Sequence, residues 1–185
     1  GKAPLALGND KSWPGAFYFV YLATRMGAKE PLEAGQYAAP PFIEAGRTIQ
    51  EMLDAGWFNE GVNGTSYDES LRMFFRGDAG MILMGSWILA KAKDMAPEVE
   101  PKLKAFAFPA MGRSEAWDKT VVGGVNAAYA ASAGSAYPDA CVALLEALSN
   151  ERAMADWGGT GRIPALAELP EQVSNPAVRV LAESD

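Results

Sequence analysis

The chain has 185 residues, 49% of them apolar and 21% charged, with a formal net charge of -7. That balance belongs to a globular chain with a real core, and an acidic excess without any Lys/Arg-rich run argues against nucleic-acid or anionic-membrane binding. Histidine is absent and Cys141 is the single cysteine, which excludes within this chain a Ser-His-Asp or Cys-His nucleophile, His-ligated metals, thiol-redox pairs and internal disulfides.

Residues 3–8 (Ala-Pro-Leu-Ala-Leu-Gly) read as a short buried strand ending at a glycine turn. Asn9, Asp10 and Ser12 suit a turn or an N-cap. Trp13-Pro14 opens an apolar helix to about Met26, with Gly27 as its C-cap. Residues 28–40 show little periodicity and read as loop. From Pro41 to Ala55, Phe42, Ala45, Ile49, Met52 and Leu53 recur at helical spacing, and Gly56 ends the helix before Trp57-Phe58 and a Gly/Asn loop at 59–64. Residues 66–76 predict another helix capped by Ser66 and stopped by Gly77.

The continuous apolar run from Ala79 to Met84 predicts a strand covered on both faces. Ser86 is placed to cap a helix from Trp87 to about Met95, which Pro97 blocks. Lys104–Phe108 reads as a further strand and residues 110–120 as a polar loop. Val121–Ala131 reads as extended, with paired glycines at 123 and 124. Pro138 opens a helix to about Ser149 whose apolar set wraps most of the circumference, so it is expected to be largely buried, with Cys141 a small core residue. Residues 150–157 are helical up to Gly158-Gly159, and the tail from Ile163 is Pro-broken. Strands alternating with helices make the fold class α/β. The chain starts at Gly1 without Met and reads as a processed chain or an excised piece; with no run of about 18 apolar residues, nothing is expected to span a bilayer.

The stretch Phe75-Arg76-Gly77-Asp78-Ala79-Gly80-Met81-Ile82-Leu83-Met84-Gly85-Ser86-Trp87 is the most informative. It resembles the F-x-x-G-x-A-A-M-x-x-x-G-x-W signature of extracellular solute-binding proteins of ABC transporters, the sugar-binding family related to maltose-binding protein. Further pieces fit in the same order: Pro4-Leu5-Ala6-Leu7-Gly8 followed by Trp13, which looks like the family's entry into its C-terminal lobe, then Leu53-Asp54-Ala55-Gly56-Trp57-Phe58, Val121-Val122-Gly123-Gly124-Val125-Asn126, the Pro138–Glu151 helix and Gly161-Arg162-Ile163-Pro164-Ala165. Together, in order and spacing, they carry a resemblance that no one of them carries alone. It implies a periplasmic-binding-protein-like (class II) lobe with a mixed sheet flanked by helices. Family members are roughly twice this length, so residues 1–112 are expected to be a C-terminal-lobe segment, and residues 113–185 a crossover segment belonging partly to the other lobe.

A sugar is gripped in water by flat aromatic faces on its C–H faces and by planar polar groups on its hydroxyls. Trp87, at a Gly85-Ser86 turn after a strand, suits the first task; its other reading is a core aromatic at a helix start. Trp13 carries the same two readings, beside a polar turn in which Asp10 can reach a hydroxyl. Gly123 and Gly124 allow close backbone approach to a ligand or a hinge, with a bulged strand as the alternative. Asn126 offers an amide, and Arg162 a bidentate fork or simply a solvated loop charge. Trp57 and Trp157 read as packing residues. Trp117 reads equally as a cleft-rim aromatic or an exposed one.

Three function classes follow. The resemblance implies a receptor on the periplasmic or extracellular face of a bacterial envelope that binds a sugar or polyol and hands it to ABC permease subunits, without cofactor or metal. A glycosidase would need two carboxylates at a defined separation, for which Asp10, Glu69, Asp78 and Asp118 are available. An interaction scaffold would use the aromatic surface as a protein contact.

Overall fold

The computed structural model describes residues 1–113, 117–118, 120–123 and 128–160. Strand β1 (Ala3–Ala6) leads into helix α1 (Trp13–Arg25), followed by the short α2 (Lys29–Glu33), α3 (Pro40–Asp54), a 3₁₀ turn at Val62–Gly64 and α4 (Tyr67–Phe75). Strand β2 (Ala79–Ile82) then precedes α5 (Ile88–Met95), a second 3₁₀ turn at Glu100–Lys102, α6 (Pro138–Ser149) and α7 (Glu151–Gly159). The sheet among the described residues is one parallel pair, with Ala3 opposite Ala79, Leu5 opposite Met81 and Ala6 opposite Ile82. On the other edge of β1, Leu5 N–H donates to the Trp57 carbonyl at 2.9 Å and bridges to Phe58. Among the described residues the sheet is thus small and parallel, inside a helix-rich α/β arrangement.

Apolar patterning explains the layers. Leu5 and Leu83 join Leu7, Tyr18, Phe58 and Val62 on the side covered by α1 and α3. Ile82 joins Leu71, Phe75, Ala92 and Ala96 on the side covered by α4 and α5. A third cluster, Leu22, Ala23, Ala28 and Ala45, zips α1 to α3, and small side chains there let the two backbones approach. Ser66 heads α4 with a full capping box: its hydroxyl accepts from Glu69 N–H at 3.2 Å while the Glu69 carboxylate accepts from Ser66 N–H at 2.8 Å.

Several expectations need correction. Residues 29–33 are helical, with Lys29 and Glu33 paired one turn apart at 2.7 Å; the helix buries no residue, so it left no apolar period to read. Strand β2 is not covered on both faces: Gly80 and Met81 are exposed. Ser12 does not cap α1. It sits at φ 64 with no capping side-chain bond, and Asn9 reaches back instead, its Oδ1 accepting from Gly15 N–H at 3.0 Å. A Cβ on Gly15 would lie 2.5 Å from that oxygen, so the capping contact needs glycine there. Ser86 does not cap α5 with its side chain either; Trp87 holds the cap position, and only the Ser86 carbonyl serves, accepting from Leu89 N–H at 3.2 Å.

The segment 104–108 forms no strand among the described residues; the carbonyl of its last residue, Phe108, accepts from the Arg25 guanidinium, as does that of Pro109. Helix α6 is not buried. Val142 and Leu144 are 52% and 59% exposed, since its main packing partner among the described elements is α7. Cys141 is accordingly half-buried on an open helix, with its Sγ 3.4 Å from Ser135 Oγ, and is not a core residue. Trp57 and Trp157 are half exposed at 50% and 46%, so their rings are not core. The tail beyond Thr160 lies outside the described residues.

Tyr18 makes the first test. Its ring packs edge-on against Phe58 at 5.1 Å, and its hydroxyl is buried beside the Leu83 backbone without a well-formed hydrogen bond among the described residues. Tyr18→Phe removes a polar group that burial penalises, so stability stays level or rises by up to about 1 kcal/mol. Burial pushes the Tyr18 phenol above its ordinary pKa, against a smaller opposing pull from the Leu83 backbone. The folded value exceeds the unfolded one, so the contribution is complete below about pH 10 and is lost as pH rises through the folded value. Urea midpoints at about pH 8 and about pH 11 should show the wild type losing more than Tyr18→Phe. Equal losses would place the alkaline titration elsewhere.

Candidate functional site

Parallel strands leave a sheet on the same side, and the loops after β1 and β2 each turn there into a helix. Trp13 starts α1 and Trp87 immediately precedes α5. Ligands of α/β folds sit outside the carboxyl ends of the strands, where helix N-termini gather. The two indoles meet at a centroid distance of 6.3 Å. Phe17, one turn along α1, packs against both, at 5.7 Å from Trp13 and 6.4 Å from Trp87. Tyr67, the first residue of α4, tilts against Trp13 at 5.2 Å and accepts a 3.1 Å hydrogen bond from Trp87 Nε1. Four aromatic rings, two on α1, one at the start of α4 and one just before α5, thus form one platform. Trp13 keeps 37% of its surface exposed, and Trp87 is half-buried.

The turn that carries Trp87 depends on Gly85. A Cβ there would lie 2.0 Å from Cζ3 of the indole and 2.4 Å from two further ring atoms, so the ring lies back across the glycine backbone. Polar loops flank the platform. Asp10 N–H donates to the Thr65 carbonyl at 3.2 Å, and Asn9 Nδ2 donates to Asn63 Oδ1 at 2.8 Å, which holds the 9–12 loop against the loop before α4. The Asp10 carboxylate lies 3.7 Å from Lys11 Nζ.

Of the residues singled out by sequence, the fold brings Trp13, Trp87 and Gly85 together, with Ser86 half-buried beside them. Gly123 is exposed, with open space where a side chain would be, and its neighbour Val122 is tied to Tyr21, two turns of α1 away from Trp13. Gly124, Asn126 and Arg162 lie outside the described residues. Sequence reasoning missed Phe17 and Tyr67. The first was readable from its four-residue spacing from Trp13, and the second from the Ser66/Glu69 capping box, which sets Tyr67 at the first position of α4.

The four candidate carboxylates each have a local structural partner. Ser66 holds Glu69 through its hydroxyl and backbone N–H, keeping that carboxyl below its ordinary range. Asp78 pairs with Arg76 at 2.8 Å. Asp118 accepts from Met111 and Gly112 N–H groups at 3.1 and 2.8 Å. A groove of about 360 Å³ runs along α4 between Thr65, Glu69, Arg72 and Arg76, away from the aromatic rings. Glu69 is held by Ser66 and Arg76 by Asp78, so the aromatic platform is the better candidate. Among the described residues no group of three Cys, Asp or Glu side chains could hold a metal ion, and no helix is long and apolar enough to cross a membrane.

A family model described as bacterial extracellular solute-binding protein matches residues 9–179. No curated protein sequence matches the chain. Among solved structures, one reported with biochemical and structural insights into xylan utilization by the thermophilic bacterium Caldanaerobius polysaccharolyticus shares 25% identity at a TM-score of 0.85, covering 100% of this chain and 50% of that one. A chitin oligosaccharide binding protein shares 20% identity at a TM-score of 0.79, covering 98% and 48%. The SBP RafE in complex with raffinose shares 21% at 0.70, covering 100% and 49%. The chain therefore spans about half the length of the structures it resembles.

Gly85→Ala tests the platform geometry. The added methyl must displace the far edge of the indole, which can swing away. The expected result is a changed near-UV circular dichroism and tryptophan emission, with a stability loss of about 1–3 kcal/mol from the forced rearrangement. A variant with wild-type spectra would show that the indole does not lie over this backbone.

Proposed function

The chain belongs to the bacterial extracellular solute-binding protein family, and on that premise we propose that it is part of a receptor that captures a sugar or sugar-like solute in a cleft between two lobes. The observation that carries the reading is the platform of Trp13, Phe17, Tyr67 and Trp87 at the carboxyl ends of β1 and β2. Flat, half-exposed rings offer stacking area to the C–H faces of a sugar, and capture needs no chemical step. Asp10, Ser86 and the backbone at Gly85 stand on the loops around the rings; together with Gly123, Gly124, Asn126 and Arg162 they are our candidates for the hydroxyl partners. Residues 1–112 supply most of one periplasmic-binding-protein-like lobe of class II in this reading, and residues 113–185 lead to the other. ABC permease subunits at the bacterial envelope are the acceptors of the solute. The sugar-binding relatives favour an oligosaccharide over other solutes.

The test is a thermal-shift screen of the full-length protein against xylo-, chito- and raffinose-type oligosaccharides, monosaccharides and polyols. A ligand at 100 times its dissociation constant stabilises by about 2.7 kcal/mol, a shift of several degrees. One sugar class should give a saturable shift with no product released. Trp87→Ala should weaken that ligand by at least about tenfold, while costing less stability than the roughly 3–5 kcal/mol of a buried aromatic. A flat response to all sugars, with a response to amines or amino acids, would overturn the sugar reading.

A further inference from the structure

Of the six asparagines in the chain, Asn63 is the one followed by glycine. It is exposed and sits in the 3₁₀ turn Val62–Gly64, which the Gly64 N–H closes on the Gly61 carbonyl at 2.8 Å. A carboxamide and the next backbone nitrogen are potential reaction partners, and a side chain on the following residue would crowd their approach; glycine has none. The folded turn has no need of glycine at 64. Its φ is outside the left-handed region, and a Cβ built there meets nothing within 4 Å. A clasp from a distant loop holds the pair apart. Asn63 Oδ1 accepts from Asn9 Nδ2 at 2.8 Å, the Val62 carbonyl accepts from Asn9 N–H at 2.9 Å, and the Thr65 carbonyl accepts from Asp10 N–H at 3.2 Å. Asn9 Oδ1 meanwhile caps α1 through Gly15 N–H, so one side chain joins the 62–65 turn to the start of the helix that carries Trp13.

We propose that Asn63 is a site of spontaneous modification: the backbone nitrogen of Gly64 converts its side-chain amide to an acid, at a rate governed by the Asn9 clasp. The Gly64 nitrogen gives its proton to hydroxide and bonds to Asn63 Cγ. The Cγ–Nδ2 bond breaks, and ammonia leaves after taking a proton from water. The resulting succinimide takes up one water. Opening at Cγ gives aspartate at 63; opening at the main-chain carbonyl gives isoaspartate, whose backbone runs through the former side chain and is longer by one methylene. Attack requires the Gly64 N–H to leave the Gly61 carbonyl and the Asn63 carboxamide to leave Asn9, so the reaction proceeds from an opened turn. Isoaspartate at 63 shifts the Val62 and Thr65 carbonyls that hold Asn9 and Asp10, and with them the loop that leads into Trp13. The consequence for solute capture rests on the receptor reading above; the modification itself does not.

The experiment ages the full-length protein at mildly alkaline pH, digests it in acid and maps it by mass spectrometry, with isoaspartate read by enzymatic methylation. Conversion should appear at residue 63 ahead of every other asparagine in the sequence. No conversion there, or another asparagine reacting first, overturns the proposal, and this arm needs no variant to fold. Gly64→Ala should slow conversion by at least about tenfold, a barrier change of about 1.4 kcal/mol; a folded Gly64→Ala that converts at the wild-type rate also overturns it. Asn9→Asp keeps an acceptor for Gly15 N–H and removes the Nδ2 donor, so it opens the clasp with α1 still capped. It should speed conversion about fivefold, the population change for one lost hydrogen bond; an unchanged rate overturns the gating. Converted chains are then separated by their added negative charge and titrated with the sugar that shifts the melting temperature. The isoaspartyl form should bind it several-fold more weakly. Equal Kd values overturn the coupling to capture, and a flat sugar panel sinks the receptor reading while leaving the map of residue 63 standing.

Discussion

A buried guanidinium is the constraint on which the rest of the arrangement turns. Arg25 ends α1, where the carbonyl end of the helix dipole favours a cation. Burial pulls its pKa down, and Asp118 and the Tyr21 ring beside it oppose that pull. No carboxylate forms an ion pair with it among the described residues. A charge out of water is tolerable only when its donors are satisfied, and the satisfaction here comes from backbone carbonyls at 108, 109, 117 and 120. Those carbonyls lie against the end of α1, and the described residues 108–109, 117–118 and 120 form no strand. Secondary contacts reinforce the placement: Arg113 pairs with Glu44 of α3, and Lys29 sits over the Trp117 ring at 5.9 Å.

The opposite end of α1 has the opposite character. Its N-terminus is capped from three residues upstream by Asn9, and its first two turns present rings rather than charge. Trp87 is held by a hydrogen bond to Tyr67 and by the missing side chain of Gly85. Each aromatic thus has a reason in the structure to stay where it is, which keeps the entropy cost of ligand stacking low. Rigid aromatics with polar loops beside them are the arrangement a sugar-binding surface needs, and membership of the solute-binding family gives the arrangement its context.

Much of this was legible in the chain. Period and punctuation located α1, α3, α4, α6 and α7 and both strands: Gly56 and Gly77 stop their helices at positive φ, Ser66 starts α4, and Pro138 starts α6. The motif from Phe75 to Trp87 pointed to the family that the match over residues 9–179 bears out. Three of the corrections share one cause. The burial of α6, the double cover of β2 and the strand at 104–108 were all judged from local apolarity, and local apolarity does not say which partner arrives. Met81 and Leu144 are as apolar as Leu71, yet Met81 is 43% exposed, Leu144 is 59% exposed and Leu71 is fully buried.

By itself, then, the sequence determined what short-range physics controls: helix periods, caps, glycine stops, the absence of histidine chemistry, and a family signature in consecutive residues. Only the tertiary structure decided what depends on distant groups meeting. Trp87 and Tyr67 lie 20 positions apart and share a hydrogen bond, and Arg25 reaches Thr120 across 95 positions. No periodicity encodes such contacts, because they form only when separate helices pack on the same sheet. The platform at one end of α1 and the grip at the other are products of that packing.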